Sequence, residues 1–176
     1  MKKISILVVA ATALLATACG TNREKALAEI TRGEDSLKMD GLMYVSDSMA
    51  GNRMIARYEA FANDFPEDTL APKFLHAAAD ISLNIGDASR SIALLDRIIN
   101  DYPQYNDLGS CYFDKGRALE EAERYDDARQ TYEEFIALFP DHVMANDTRS
   151  MLPFLGMSAD SALAQILAKQ AATNAE

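Results

Sequence analysis

Tryptophan is absent from this 176-residue chain, and cysteine and histidine occur twice each, at positions 19 and 111 and at 76 and 142. Neither His76 nor His142 has a His or Cys partner at metal-ligand spacing, so no metal site is expected. The eight glycines form no phosphate-cradling loop, and nucleophile-elbow and zinc-protease motifs are missing, so the sequence marks no cofactor and no small-molecule substrate. Basic residues are outnumbered, 17 against 27 acidic ones, for a formal charge of −10. Such a surface repels phosphate backbones, which argues against nucleic acid as a partner. Long apolar runs are scarce too: the stretch from Ile4 to Ala18 has fifteen residues, short of the roughly 18 that a permanent transmembrane helix needs.

That stretch follows Met1-Lys2-Lys3 and ends at Ala18-Cys19-Gly20, the order of a secretory leader: basic start, apolar middle, small-residue cut. The residues Leu15-Ala16-Thr17-Ala18-Cys19 resemble the lipobox of bacterial lipoproteins, in which the cysteine is acylated and becomes the new N-terminus. Here the large aliphatic residue stands four places before the cysteine, with Ala16 at its usual position three before. An ordinary leader cut at Ala18, with Cys19 incidental, is the alternative. The resemblance implies a signal peptide over residues 1–18 and lipid on Cys19. Gly20 lacks the aspartate associated in some bacteria with inner-membrane retention, so the resemblance also implies the periplasmic face of the outer membrane. The mature part, Cys19 to Glu176, keeps 15 basic and 27 acidic residues in 158 positions, a formal charge of −12. That length suits one domain. With Cys19 acylated, Cys111 has no partner for an internal disulfide, so the fold must rest on packing.

Residues 19–47 read as a tether, over 20 to 23, and a helical segment from Glu24 to about Leu37; Lys38 to Gly51 reads as a loop or broken helix. Residues 48–176 read as one helical-repeat domain, and from Met54 on the chain repeats itself. An aromatic residue followed by proline recurs at Phe65-Pro66, Tyr102-Pro103 and Phe139-Pro140, 37 residues apart each time. Tyr58, Leu95 and Tyr132 fall in the same register, as do Phe61, Ile98 and Phe135, and Leu75 with Tyr112 and Ala79 with Gly116. Apolar residues three and four apart predict helices in pairs. The first helix of a pair carries Leu75, Ala78, Ala79, Ser82 and Ile85, or Tyr112, Gly116, Leu119 and Ala122. After a turn at Ile85-Gly86-Asp87, or Glu123 to Asp126, the second carries Ile92, Leu95, Ile98 and Ile99, or Ala128, Tyr132, Phe135 and Leu138. In these turns glycine tolerates left-handed backbone and aspartate can cap the next helix. Each pair has an apolar face left over, and a neighbouring pair is what can cover it.

In the copy from Gly109 to Pro140, the positions of Tyr112, Gly116, Ala128, Tyr132 and Pro140 resemble the tetratricopeptide repeat, a 34-residue helical hairpin. The preceding copy matches less fully, with Leu75, Ala79, Ser91, Leu95 and Pro103. The three residues beyond the family period fall in loops after the prolines, such as Gln104 to Leu108. The resemblance implies an all-α fold, stacked antiparallel hairpins in a right-handed α-solenoid. Asp47 to Phe65 reads as the second helix of an incomplete leading hairpin. Val143 to Phe154 and Ser158 to Lys169 read as a terminal one, shortened or kinked at Pro153.

As a whole the chain resembles periplasmic repeat lipoproteins of outer-membrane assembly and envelope coordination. By that resemblance it is not an enzyme but a protein-binding scaffold, taking a peptide segment of another envelope protein in a concave groove lined by the first helices. The groove positions carried over are Lys73, His76, Asp80, Leu83 and Asn84 in one copy. Ser110, Phe113, Arg117, Glu120 and Glu121 hold them in the next. They lack the repeated Lys and Asn pattern with which some members clamp a C-terminal carboxylate. The same residues also suit plain solvated helix faces, with His76 as a surface group and Phe113 as an exposed aromatic. A rival reading is an enzyme or accessory factor in peptidoglycan or thiol chemistry centred on Cys111, against which the position beside Tyr112 argues for core filling.

Overall fold

The computed structural model describes residues 22–39, 42–43 and 47–173. The leader, Cys19 and the start of the tether lie outside them. The described residues are helical, with one short exception. Helix α1 spans residues 22–37, and a two-residue antiparallel ladder, Lys38–Met39 with Leu42–Met43, follows it. Then come α2 (Ser48–Asp64), α3 (Ala71–Asn84), α4 (Ala88–Asp101), α5 (Leu108–Glu121), α6 (Tyr125–Leu138), α7 (Ala145–Met151), a 3-10 turn (Leu152–Phe154) and α8 (Ala159–Thr173). The described residues fall into two compact units, divided between Leu94 and Leu95.

The 37-residue period is visible in the backbone itself. Helices start at Ala71, Leu108 and Ala145 and end at Asp64, Asp101 and Leu138. Phe65 and Phe139 close α2 and α6 with nearly identical dihedrals, φ −132°, ψ 59° and φ −129°, ψ 59°. The proline after each cannot continue the helix and keeps its predecessor out of the helical region. Each loop then makes the same two successive turns: Asp68 N–H to Phe65 O and Ala71 N–H to Asp68 O; Tyr105 to Tyr102 and Leu108 to Tyr105; His142 to Phe139 and Ala145 to His142. The extra three residues of the period lie in this double turn.

Inside the first unit, α1 lies against α2. Ile30 is buried, Tyr58 donates to Glu34 at 2.7 Å, and a side chain at Gly33 would collide with Met54 and Arg57. The leading hairpin is therefore complete, contrary to the expectation of a lone second helix. The sequence of α1 hid this because its contact face is short and partly polar. α2 packs on α3 through Tyr58 stacked on Phe74 (ring centroids 5.2 Å) and Phe61 edge-on to Phe74 (4.8 Å). Such aromatic pairs add about 0.5–1.5 kcal/mol beyond the area they bury.

In the second unit, Tyr132 of α6 covers Gly116 of α5 so closely that a Cβ at 116 would lie 2.3 Å from its ring. Its hydroxyl donates to Glu120. Phe135 packs behind it, and both rings are fully buried. As expected, the last unit is shortened at Pro153, where α7 passes into the 3-10 turn; past Gly156 (φ +77°) the chain bends by 100° into α8, which is less than the reversal of the expected terminal hairpin. Arg129 donates to Leu152 O at 2.8 Å, holding that bend to α6. Among the described residues no single helix is long and apolar enough to cross a membrane.

The two hairpin turns are built alike from different residues. Asp87 N–H reaches Ser82 O and Gly86 N–H reaches Leu83 O; 37 residues later Arg124 N–H reaches Leu119 O and Glu123 N–H reaches Glu120 O. These are paired closures of a helix end, with the left-handed residue at Gly86 (φ +83°) and at Glu123 (φ +55°). Asp87 then caps α4 through the Arg90 N–H at 3.0 Å. In the second turn no aspartate caps: α6 starts at Tyr125, with Arg124 at the cap position, and Asp126 and Asp127 fall in the first turn, where they meet the helix dipole instead.

A side chain in left-handed backbone costs about 1–2 kcal/mol, so Glu123→Gly should raise stability by up to about 1 kcal/mol after the added freedom of the unfolded chain is subtracted. Gly86→Ala meets no neighbouring atom and should lower stability by about 1 kcal/mol through conformation alone. Thermal unfolding of the two variants checks both signs. A second expectation concerns acid. Asp68 is held below the usual carboxylate range, chiefly by the hydrogen bond from Arg23 and also by the Leu70 N–H, against opposing burial. A depressed folded pKa stabilises fully above the unfolded value of about 3.9 and is lost as pH falls through the folded one. Melting temperatures of Asp68→Asn should therefore fall less steeply with acid than those of the wild type below about pH 4.

Candidate partner-binding surface

A helix repeats its facing every three to four residues, and in the second unit this brings Ser110, Phe113, Arg117, Glu120 and Glu121 to one side of α5. They are not equally available. Arg117 and Glu121 are exposed, and Arg117 reaches Asp114 one turn back at 3.2 Å. Glu120 accepts from the Tyr132 hydroxyl, whose ionisation burial and that carboxylate together oppose. Phe113 is half-buried, its ring 5.9 Å from Tyr132 and 5.8 Å from Phe135. It belongs to the hairpin's packing, where an exposed aromatic was expected.

In the first unit, Lys73, His76, Asp80, Leu83 and Asn84 share a side of α3 by the same spacing. Lys73, Asp80 and Asn84 are exposed, Leu83 is half-buried, and His76 is buried. The expected surface position of His76 is thus corrected: Phe74, Leu75 and Ala78 around it on the helix are buried as well.

Ser110 has a further set of partners that sequence spacing did not reveal. Its hydroxyl lies 2.6 Å from Asp107 Oδ1 and 3.3 Å from His142 Nε2, while His142 Nδ1 accepts the Met144 N–H at 3.2 Å. An imidazole that accepts at Nδ1 carries its proton on Nε2. That nitrogen then donates to Ser110, whose own proton goes to Asp107. The order is opposite to that of an activated serine, where the imidazole must accept, so the cluster clasps the loop before α5 to the loop after α6. The one signal for it was glycine at 109, where a Cβ would sit 3.0 Å from the His142 ring.

A second feature the sequence reading missed is a cleft of about 800 Å³ between α7 with its 3-10 turn and α8, lined by Arg149, Phe154, Ile166 and Lys169 among others. Leu163 and Leu167 on α8 are exposed. Cys111 is fully buried.

These hairpins define the class: an all-helical protein of repeated antiparallel helix pairs. More narrowly, a family model for the tetratricopeptide repeat matches residues 110–142, which cover α5 from Ser110, its turn, α6 and the first of the two turns that follow, so the chain contains such a repeat. No curated protein matches the chain.

Burial of the thiol has a direct consequence. With Cys19 replaced by serine, native Cys111 should resist iodoacetamide near neutral pH and react at the rate of an ordinary thiol once the chain is unfolded. Equal rates in the two states would place the sulfur at the surface.

Proposed function

We propose that this protein is a non-enzymatic protein–protein interaction scaffold, lipid-anchored through Cys19 at the periplasmic face of a bacterial outer membrane. In this reading it binds a peptide segment of another envelope protein through the first-helix faces, in outer-membrane assembly or envelope organisation. The observation that carries the scaffold reading is the tetratricopeptide hairpin at 110–142, a unit whose general use is to bind proteins. The exposed members of the α5 face, Arg117 and Glu121, and of the α3 face, Lys73, Asp80 and Asn84, carry both signs of charge. They suit a segment with complementary charges more than a purely apolar one. The leader and the Leu15-to-Cys19 pattern support the anchor. Cys111 offers the rival thiol chemistry little, since a sulfur with no exposed surface cannot meet a substrate without local opening.

Detergent-solubilised envelopes test the reading. The wild type should sediment with membranes and co-purify a defined partner, and Cys19→Ala should move to the soluble fraction. Arg117→Glu combined with Glu121→Lys reverses two exposed charges without touching the packed Phe113, and should lose the partner while keeping the fold by circular dichroism. Identical partner lists for this variant and the wild type would count against the α5 face. Unchanged sedimentation of Cys19→Ala would count against the anchor.

A further inference from the structure

The fold leaves little slack between position 19 and the packed helices. α1 begins at residue 22. Its first turn is pinned where the Arg23 guanidinium pairs with the Asp68 carboxylate, Nη2 to Oδ1 3.3 Å. Further along, Ile30 is buried, Glu34 holds the Tyr58 hydroxyl, and Gly33 lies close against the Met54 and Arg57 side chains. α1 is therefore part of the core of the first unit and not a spacer. From residue 19 to residue 22 the backbone makes three steps of about 3.8 Å, so an anchor on Cys19 holds residue 22 within about 11 Å. The headgroup layer on each side of a bilayer is itself about 5–8 Å deep.

We infer that the first unit lies against the lipid headgroups, with the first turn of α1 and the α2–α3 loop (residues 65–70) as its membrane-facing end. This rests on acylation of Cys19. Because α1, α2 and α3 alternate in direction, the turn at Ile85–Asp87 lies at the opposite end, a helix of 14 residues away, or about 21 Å. Charge does not drive the apposition. Exposed Glu24, Asp64 and Glu67 at the near end outnumber exposed Lys25 and Lys73, and Arg23 is paired with Asp68, so this end carries no net basic charge. Tether length imposes it. Lys73, in the first turn of α3, lies at this near end. A partner engaging Lys73 must therefore offer a segment that runs along the membrane surface, as the juxtamembrane stretch of another anchored protein does.

The test uses the full lipidated chain in vesicles of phosphatidylethanolamine and phosphatidylglycerol, with a benzophenone side chain at position 67 or at position 89, both exposed. Light should crosslink lipid to position 67 several-fold more than to position 89. A Gly/Ser insertion of about 20 residues after residue 21, reaching roughly 25 Å, should bring position 67 down to the level of position 89. Equal labelling at the two positions, or labelling at 67 that survives the insertion, would overturn the inference while leaving the anchor intact. Intact mass and vesicle co-sedimentation report acylation separately. A chain that carries no acyl group overturns the anchor and this inference with it.

Discussion

One contact decides the hairpin: an aromatic side chain on a second helix lying across a residue of the first helix that has no side chain to oppose it. Tyr132 over Gly116 is the clearest case, with the phenol oxygen directed at Glu120 and the ring fully buried. Burial of a ring of this size stabilises by about 1.5–3 kcal/mol, more than the roughly 1 kcal/mol typical of a hydrogen bond, so packing sets the approach and the phenol–carboxylate bond fixes the angle. Tyr58 repeats the hydroxyl contact 74 residues earlier, with Glu34 as acceptor. The recurrence of this Tyr–Glu pair in the leading hairpin marks α1 and α2 as the same kind of unit as α5 and α6, although composition alone hid it.

The period of 37, and with it the helix pairs, could be read from the sequence because apolar positions three and four apart and the aromatic–proline steps obey local rules. Those rules depend on backbone sterics, and the three double turns follow them residue for residue. The parts that escaped reading depend on tertiary context. α1 has too short an apolar stripe to announce a partner, yet Ile30 and Gly33 are enough once α2 lies beside it. Glu123 adopts left-handed backbone that no propensity would assign to it, since the closure of α5 requires that conformation at that place. His76 and Phe113 were read from helix facing alone, and facing does not say how closely a neighbouring element approaches.

The candidate surface divides along the same line. Spacing put five residues on one side of α5 and five on one side of α3, and the structure retains both sets on single helix faces. Which of them a partner could touch was not a matter of spacing. Glu120 serves Tyr132, Phe113 serves the hairpin core, and Ser110 serves the clasp with Asp107 and His142, which leaves Arg117 and Glu121 on α5. A scaffold of this kind gives over much of each first helix to holding its own second helix, and recognition is confined to what remains.

The bend after Pro153 separates α8 from that economy of burial. From Ala159 to Ala171 every side chain but Ala162 is exposed, so burial contributes little to holding this helix and its alanine-rich propensity contributes more. A helix of 15 residues with so little burial sits near the balance between coil and helix in water. Its amide protons should consequently trade with solvent far sooner than those of α5 and α6, and its melting costs the hairpins before it almost nothing.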